Sequence, residues 1–119
     1  MAALLVLAAP VKAQAPILPI LSSVEEMKGY ATERAKEAGV SPVTVLAVIS
    51  CESQWIPTAV GDHGHSIGLA QINLPSHTSV SREMAEDPRY AINFLVNNLK
   101  DGNGNMWTCY RMLKSKTPR

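Results

Sequence analysis

The sequence of 119 residues predicts a mainly α-helical fold in a single domain, with a short loop or hairpin region after the helix that ends near Ser53. Two observations lead to this fold class. A cap residue followed by proline occurs twice, at Ser41-Pro42 and at Asp87-Pro88, and each pair precedes a long apolar-rich segment. Between those segments, Thr58 to Ser66 shows no helical spacing of apolar residues.

The composition is that of an ordinary globular protein. Hydrophobic residues make up 46% of the chain and charged residues 18%, which argues against a disordered chain. The formal net charge is +1, and the basic tail Lys114, Lys116 and Arg119 is short, so nothing indicates a nucleic-acid partner. The chain contains a single Phe, which indicates a mainly aliphatic core.

Two helices are predicted in the first half of the chain. Ser22 and Ser23 are each followed three residues later by a glutamate, the capping-box pattern, so a helix begins there and ends at Ala38, before Gly39. A second helix runs from Pro42 to about Ser53 and is apolar nearly all round. Its β-branched residues would also suit a strand, but the Ser-Pro start and the length favour a helix.

Three further helices are predicted in the second half. A short one covers Gly68 to Asn73 and ends before Pro75. Another begins at Asp87-Pro88, has apolar residues at helical spacing, and ends at Gly102. The last covers Met106 to Lys114 and carries basic residues at its C-terminal end, where they complement the helix dipole.

The N-terminus has the pattern of an export signal over residues 1–15. Ala2 to Ala9 is an unbroken apolar run, and Ala13-Gln14-Ala15 fits a small-x-small cleavage site. The alternative is an uncut hydrophobic anchor, although eight apolar residues are too few to span a bilayer. Residues 16–21 are predicted to be an extended leader. The predicted location is therefore secreted, periplasmic or cell-envelope, without stable membrane insertion after signal removal.

Cys51 and Cys109 are the two cysteines of the chain. In an exported protein they are candidates for a disulfide that closes a loop of 57 intervening residues. Closing a loop of that size stabilises the fold by about 4 kcal/mol on the chain-entropy model. The alternative is a pair of buried thiols that behave as small hydrophobic residues.

Glu52 is the candidate catalytic residue. It follows the most apolar stretch of the chain, Val43 to Cys51, and partial burial at a helix end raises the pKa of a carboxyl group. A general acid needs such a pKa to hold its proton near neutral pH. The glycine-containing polar segment that follows is predicted to form the other wall of a cleft. Asp62 is the one nearby acid, and its Gly-Asp-His-Gly context favours a structural role in a turn.

Two motifs in this region resemble a known family. Glu52-Ser53 is followed by AVGDHGHSIGLAQI at residues 59–72, and a later helix is opened by Asp87-Pro88. This arrangement is similar to the signature of the SLT-type, lysozyme-like lytic transglycosylases, over Pro42 to about Arg111. Residues 107–110 resemble the closing segment of small secreted members, in which a cysteine precedes the catalytic glutamate.

The resemblance implies that residues 22–119 form a lysozyme-like domain that cleaves the β-1,4 bond between N-acetylmuramic acid and N-acetylglucosamine in peptidoglycan. In that family one glutamate, here Glu52, acts first as acid and then as base toward the C6 hydroxyl, which gives a 1,6-anhydro product. Most glycosidases use two carboxylates instead. The alternatives are a lysozyme-type hydrolase that uses water and a non-catalytic glycan-binding module of the same fold. The expected partner is the glycan strand of peptidoglycan, the expected state is a monomer, and no cofactor is expected.

The resemblance also implies substrate contacts at Ser66, Gly68 and Gln71. The side-chain amide of Gln71 suits an N-acetyl group, and Gly68 permits close approach of the backbone to the sugar. The family usually has a Tyr-Leu pair whose tyrosine reaches the catalytic Glu52. The equivalent place in this chain is Asn98-Leu99 or Phe94-Leu95, and neither supplies a hydroxyl. Tyr90 and Tyr110 are the candidates to substitute for it, and Tyr110 is preferred because it follows Cys109.

Aromatic and imidazole side chains complete the candidate list. Trp55 and Trp107 are predicted either to stack on sugar faces or to pack in the core. His63, His65 and His77 lack the spacing of a metal-binding motif, so no metal site is predicted.

Overall fold

The computed structural model of the protein describes residues 20–116. Five α-helices and a small antiparallel sheet form this part of the chain, so the predicted mainly α-helical fold is confirmed. The helices are α1 (Val24–Ala38), α2 (Pro42–Ser53), α3 (Arg82–Glu86), α4 (Pro88–Lys100) and α5 (Thr108–Ser115), and the strands are β1 (Val60–Gly61), β2 (Ser66–Ile67) and β3 (Ile72–Asn73). The predicted signal peptide, residues 1–15, and most of the predicted leader, residues 16–21, lie outside the described residues. No helix within the described part is both long and apolar enough to cross a membrane.

Side-chain caps fix the starts of the three long helices where the sequence predicts them. The hydroxyls of Ser23 and Ser41 accept the N–H three residues further on, at 3.1 and 3.3 Å. At α4 the carboxylate of Asp87 accepts the N–H two residues further on, at 3.0 Å. Gly39 ends α1 in the left-handed conformation, with φ of 72°. These local contacts satisfy backbone donors that no helical carbonyl reaches.

The core lies where α1 packs against α2 and α4. The buried face of α1 is made of Met27, Ala31 and Ala35, and the two alanines let its neighbours approach closely. The other two helices contribute aliphatic side chains, namely Val45, Val48, Ile49, Ala91, Ile92, Leu95 and Val96. α2 is less completely buried than its sequence predicts. Val43 is 77% exposed, because α1 and α5 cover only part of the circumference of this helix.

The three strands form a sheet in the order β1-β2-β3, with both pairs antiparallel. Ile67 of β2 pairs with Val60 on one side and with Ile72 on the other. The short helix predicted from Gly68 is wrong, since this segment is a turn followed by β3. Gly68 and Gln71 have φ of 85° and 47°, left-handed values that a right-handed helix does not contain.

The C-terminal half differs from the prediction at two further places. The sequence pattern does not predict α3, a short helix whose N-cap residue Ser81 accepts the N–H of Met84 at 3.1 Å. The last helix begins later than predicted, because Gly104–Met106 is a single 3-10 turn and Trp107 is extended. α5 therefore begins at Thr108 and packs against α2.

Candidate active site

Glu52 lies in the last turn of α2 and is half-buried. The next residue, Ser53, is buried and donates its hydroxyl to the carbonyl of Ile49 at 3.1 Å, so it has a structural contact with the helix end. The chain then leaves the helix through two residues with left-handed backbone, Gln54 and Trp55, with φ of 52° and 62°. This sharp exit brings the polar segment after α2 back toward the carboxyl group of Glu52.

A disulfide joins Cys51, the residue before Glu52, to Cys109 in the first turn of α5. The S–S distance is 2.02 Å and the Cα–Cα distance is 6.0 Å. The pairing predicted from the sequence is therefore confirmed, and the alternative of two free thiols is wrong. The bond places the start of α5 directly beside Glu52.

The backbone of α5 supplies the group that holds the Glu52 carboxyl. Oε1 of Glu52 accepts a hydrogen bond from the N–H of Cys109 at 3.3 Å. The N-cap residue of α5, Trp107, makes no side-chain capping bond, so Glu52 satisfies one of the donors that every helix start leaves open. The group that supports the Glu52 carboxyl is therefore the backbone amide of Cys109, not the predicted tyrosine.

The surroundings of Glu52 act on its charge in opposite directions. Burial raises the pKa of the Glu52 carboxyl, and the carboxylate of Asp62 raises it further. The hydrogen bond from Cys109 N–H and the positive charge of Arg111 lower the pKa. Burial is the largest of these effects, and the pKa of Glu52 is raised above its ordinary value. The carboxyl therefore keeps its proton to higher pH than a free glutamic acid does, as a general acid requires.

Asp62 lies in the 3-10 turn between β1 and β2, in the left-handed conformation with φ of 49°. Its carboxylate accepts the hydroxyl of Ser66, and its carbonyl accepts the N–H of His65 at 3.2 Å. These contacts agree with the structural role in a turn that the sequence favours for Asp62. The geometry does not support the predicted substrate contact of Ser66, because Ser66 is only 1% exposed and its hydroxyl is used by Asp62.

Gln71 joins the two sides of the hairpin region through its side-chain amide. Its Nε2 donates to the carbonyls of Ala59 and Gly68, at 3.1 and 3.0 Å. Both amide hydrogens are therefore used inside the protein. The side-chain oxygen lies over Gly61, where an added Cβ would come within 2.3 Å of it. Of the contacts predicted for Gln71, only acceptance of a substrate hydrogen bond by Oε1 is compatible with this geometry.

Gly68 is buried against α3 rather than facing a cleft. A Cβ added at this position would lie 1.9 Å from the carbonyl oxygen of Ala85, and the residue has φ of 85°. The glycine is thus required by packing and by the turn. The direct approach to a sugar that the motif predicts for Gly68 is not supported, because a buried backbone has no access to substrate.

Tyr110 lies on the side of α5 that faces away from this arrangement. Its ring packs on Gly104, and Nζ of Lys114 lies 5.1 Å from the ring centre. Tyr110 also lines a cavity of about 390 Å³ together with Val40, Thr44 and residues of α4, at the opposite end of α2 from Glu52. The predicted support of Glu52 by Tyr110 is not found. Consecutive residues of a helix point in different directions, so Cys109 lies at Glu52 while the side chain of Tyr110 points toward Gly104.

Both tryptophans belong to the core. Trp55 is 7% exposed and Trp107 is 5% exposed, and Nε1 of Trp107 donates to the carbonyl of Ala70 at 2.7 Å. Of the two interpretations of these residues, core packing is confirmed and stacking on sugar is not supported. The bond from Trp107 ties the start of α5 to the turn that carries Gln71.

A small cavity of about 50 Å³ lies between the hairpin region and the α4–α5 side of the molecule. Its lining combines amide, imidazole, aromatic and thioether side chains, contributed by Gln71, Asn73, His77, Phe94, Met106 and Trp107. Asn73 and Met106 are not predicted as site residues from the sequence, and Phe94 is considered there only as an equivalent of the family's tyrosine. Within residues 20–116, no group of three His, Cys, Asp or Glu side chains is placed to hold a metal ion.

Comparison with known protein families gives a match over most of the chain. The family model described as the transglycosylase SLT domain matches residues 29–117. Neither the curated proteins nor the solved structures contain a match. The matched region covers most of the chain and includes Glu52, both cysteines and the hairpin region. The helical, lysozyme-like fold agrees with it, and the chain belongs to the transglycosylase SLT domain family.

Proposed function

We propose that this protein cleaves the β-1,4 bond between N-acetylmuramic acid and N-acetylglucosamine in peptidoglycan, with Glu52 as the single general acid and base. Membership of the family supports lytic transglycosylase activity on peptidoglycan in general. The observation that carries the assignment to Glu52 is its half-buried carboxyl group, with a raised pKa and a backbone N–H donor on Oε1.

In the first step, protonated Glu52 donates its proton to the oxygen that leaves as the glycosidic bond breaks. The carboxylate that forms is stabilised by the N–H of Cys109 and by the charge of Arg111, both of which favour the ionised form. In the second step, this carboxylate accepts the proton of the C6 hydroxyl as that oxygen bonds to C1. The proton returns to Glu52, and the product is a 1,6-anhydro sugar.

Hydrolysis by water is the second candidate, and the position of Asp62 is the observation in its favour. The negative charge of the Asp62 carboxylate contributes to the raised pKa of Glu52, so a second acid acts on the catalytic one. However, Asp62 accepts the Ser66 hydroxyl and shapes its own turn. This use of the carboxylate supports a structural role for Asp62 and favours the single-acid mechanism.

We propose a secreted, periplasmic or cell-envelope location and a monomeric enzyme that needs no cofactor. The disulfide supports this location, since structural disulfides persist in oxidising compartments.

The test is digestion of purified peptidoglycan followed by mass spectrometry of the released muropeptides. We expect products lighter by one water than the hydrolytic products, and no release by the Glu52→Gln variant. Products with a free reducing end would instead establish hydrolysis. Sustained binding to cell walls without any release would establish the non-catalytic module.

A further inference from the structure

We propose that Arg111 is a positioning residue for Glu52, because it fixes the junction from which the N–H of Cys109 reaches the catalytic carboxyl. The inference rests on the proposed function of Glu52. Arg111 lies outside the two sequence motifs that resemble the family. Its proposed role is to hold the backbone that hydrogen-bonds to the Glu52 carboxyl.

The guanidinium of Arg111 bridges the two sides of the Trp107 junction. One nitrogen, Nη1, donates to the backbone carbonyl of Asn105 in the 3-10 turn. The other, Nη2, donates to the hydroxyl of Thr108, the first residue of α5, at 3.0 Å. The planar fork of arginine suits this double contact, which the single ammonium of lysine does not reproduce.

The bridge of Arg111 acts together with the disulfide and the Trp107 indole at the start of α5. α5 is eight residues long and has no side-chain cap of its own. The disulfide holds the side chain of Cys109 near α2, and the direction of the Cys109 N–H also depends on the orientation of α5. The indole of Trp107 anchors the junction on the Ala70 side. Arg111 anchors it from the exposed surface of α5.

The charge of Arg111 adds to the positional effect. The charged groups that act on Glu52 are Asp62 from the hairpin turn and Arg111 from α5, together with the dipole of the Cys109 N–H. Asp62 and burial raise the pKa of Glu52, while Arg111 lowers it. Arg111 is exposed, so solvent and salt screen its charge. The geometry of the bridge therefore carries the inference, and the electrostatic effect supports it.

Lys114 provides a matched control on the same helix. It is also an exposed cation, but its Nζ lies over the ring of Tyr110, on the side away from Glu52. Replacing either residue by methionine removes one positive charge and keeps a long side chain. If the loss of one positive charge by itself changed binding of a charged substrate, Arg111→Met and Lys114→Met would change activity equally.

The experiment compares Arg111→Met, Arg111→Lys and Lys114→Met with the wild-type protein. The first readout is the pH profile of kcat/KM on peptidoglycan, and the second is the titration of Glu52 followed by NMR in protein labelled at the glutamate carboxyl. Thermal unfolding of each variant is measured alongside.

We expect Arg111→Met to lower kcat/KM about tenfold to a hundredfold, as for loss of positioning, and to move the Glu52 titration to higher pH. Arg111→Lys keeps the charge but not the double contact, so we expect it to lose rate and to move the Glu52 titration in the same direction as Arg111→Met, by a smaller amount. Lys114→Met matches the wild type in both readouts.

Equal behaviour of Arg111→Met and Lys114→Met overturns the proposal. A lower unfolding temperature with an unchanged Glu52 titration also overturns it, since that result describes a purely structural arginine. Failure of this proposal can be told apart from failure of the proposed function. If the wild-type protein has no activity at any pH, the proposed function fails, and the NMR titration still tests whether Arg111 acts on Glu52.

Discussion

The side-chain carboxyl of Glu52 and the backbone N–H of Cys109 are joined by a hydrogen bond of 3.3 Å between residues that lie 57 positions apart. The same cysteine is bonded through its sulfur to Cys51, which precedes Glu52. Two links of different kinds therefore connect the end of α2 to the start of α5. The consequence is that the protonation and orientation of Glu52 depend on how α5 is packed.

Replacing Glu52 with glutamine tests both the chemistry and the burial of this residue. We expect activity to fall by about 10²–10⁴-fold, the usual contribution of a general acid or base. Glutamine keeps an oxygen that accepts the Cys109 N–H, so the fold is retained. The activity is measured by release of soluble muropeptides, and retained circular dichroism shows that the variant is folded. Activity close to wild type would contradict the assignment.

The same variant has a pH-dependent effect on stability. Because the pKa of Glu52 is raised in the folded protein, the unfolded chain ionises first as the pH rises. Ionisation of Glu52 therefore lowers the stability of the wild type above its ordinary pKa. We expect the unfolding temperature of Glu52→Gln to exceed that of the wild type at pH 7, and the difference to shrink toward pH 4. A difference that grows toward pH 4 would contradict the raised pKa.

Replacing Asp62 with asparagine separates a structural acid from a chemical one. We expect activity within about tenfold of the wild type, because the amide oxygen of the introduced side chain still accepts the Ser66 hydroxyl. Removal of the negative charge lowers the pKa of Glu52, so the pH profile of kcat/KM moves to lower pH. Ser66→Ala is the control that removes the hydrogen bond and keeps the charge. Loss of activity as severe as in Glu52→Gln, in a folded protein, would favour hydrolysis with two carboxylates.

Removal of the disulfide is expected to affect stability and activity together. The double change Cys51→Ser and Cys109→Ser opens a loop with a sequence separation of 58 residues. The chain-entropy model gives a loss of about 4 kcal/mol in the free energy of unfolding. Activity also falls, because the Cys109 N–H is held less firmly beside Glu52. Urea unfolding gives the stability difference, and reductant should destabilise the wild type without affecting the double variant.

Two glycines give opposite predictions for the same substitution. Gly68→Ala is expected to cost about 3 kcal/mol or more, because the residue has a left-handed backbone and a Cβ would overlap the Ala85 carbonyl. Gly29 lies inside α1 with nothing within 4 Å of an added Cβ. Gly29→Ala is therefore expected to stabilise the protein by about 0.5–1 kcal/mol. Urea unfolding of both variants is the measurement, and equal effects would contradict the packing of Gly68 on α3.

Local hydrogen bonds explain which elements could be predicted from the sequence. The starts of α1, α2 and α4 depend on Ser23, Ser41 and Asp87, whose partners are two or three residues away. For the turn after β2 the sequence pattern wrongly predicts a helix, because the apolar residues around Leu69 suit both structures. Gln71 has a left-handed backbone, which a turn accepts and a right-handed helix does not. The side chain of Gln71 stabilises this conformation through its hydrogen bonds to the carbonyls of Ala59 and Gly68.

The sequence by itself determined the helical class of the fold, the place of Glu52 at the end of an apolar helix and the candidate cysteine pair. Each of these depends on neighbouring residues or on residue type. Only the tertiary structure decided that Cys109 N–H, not Tyr110, supports the Glu52 carboxyl, that Ser66 bonds to Asp62, and that Gly68 is needed for packing. The physical reason is that every residue except proline carries a backbone N–H. Which of these donors meets a given carboxyl is set by the packing of α5 on α2.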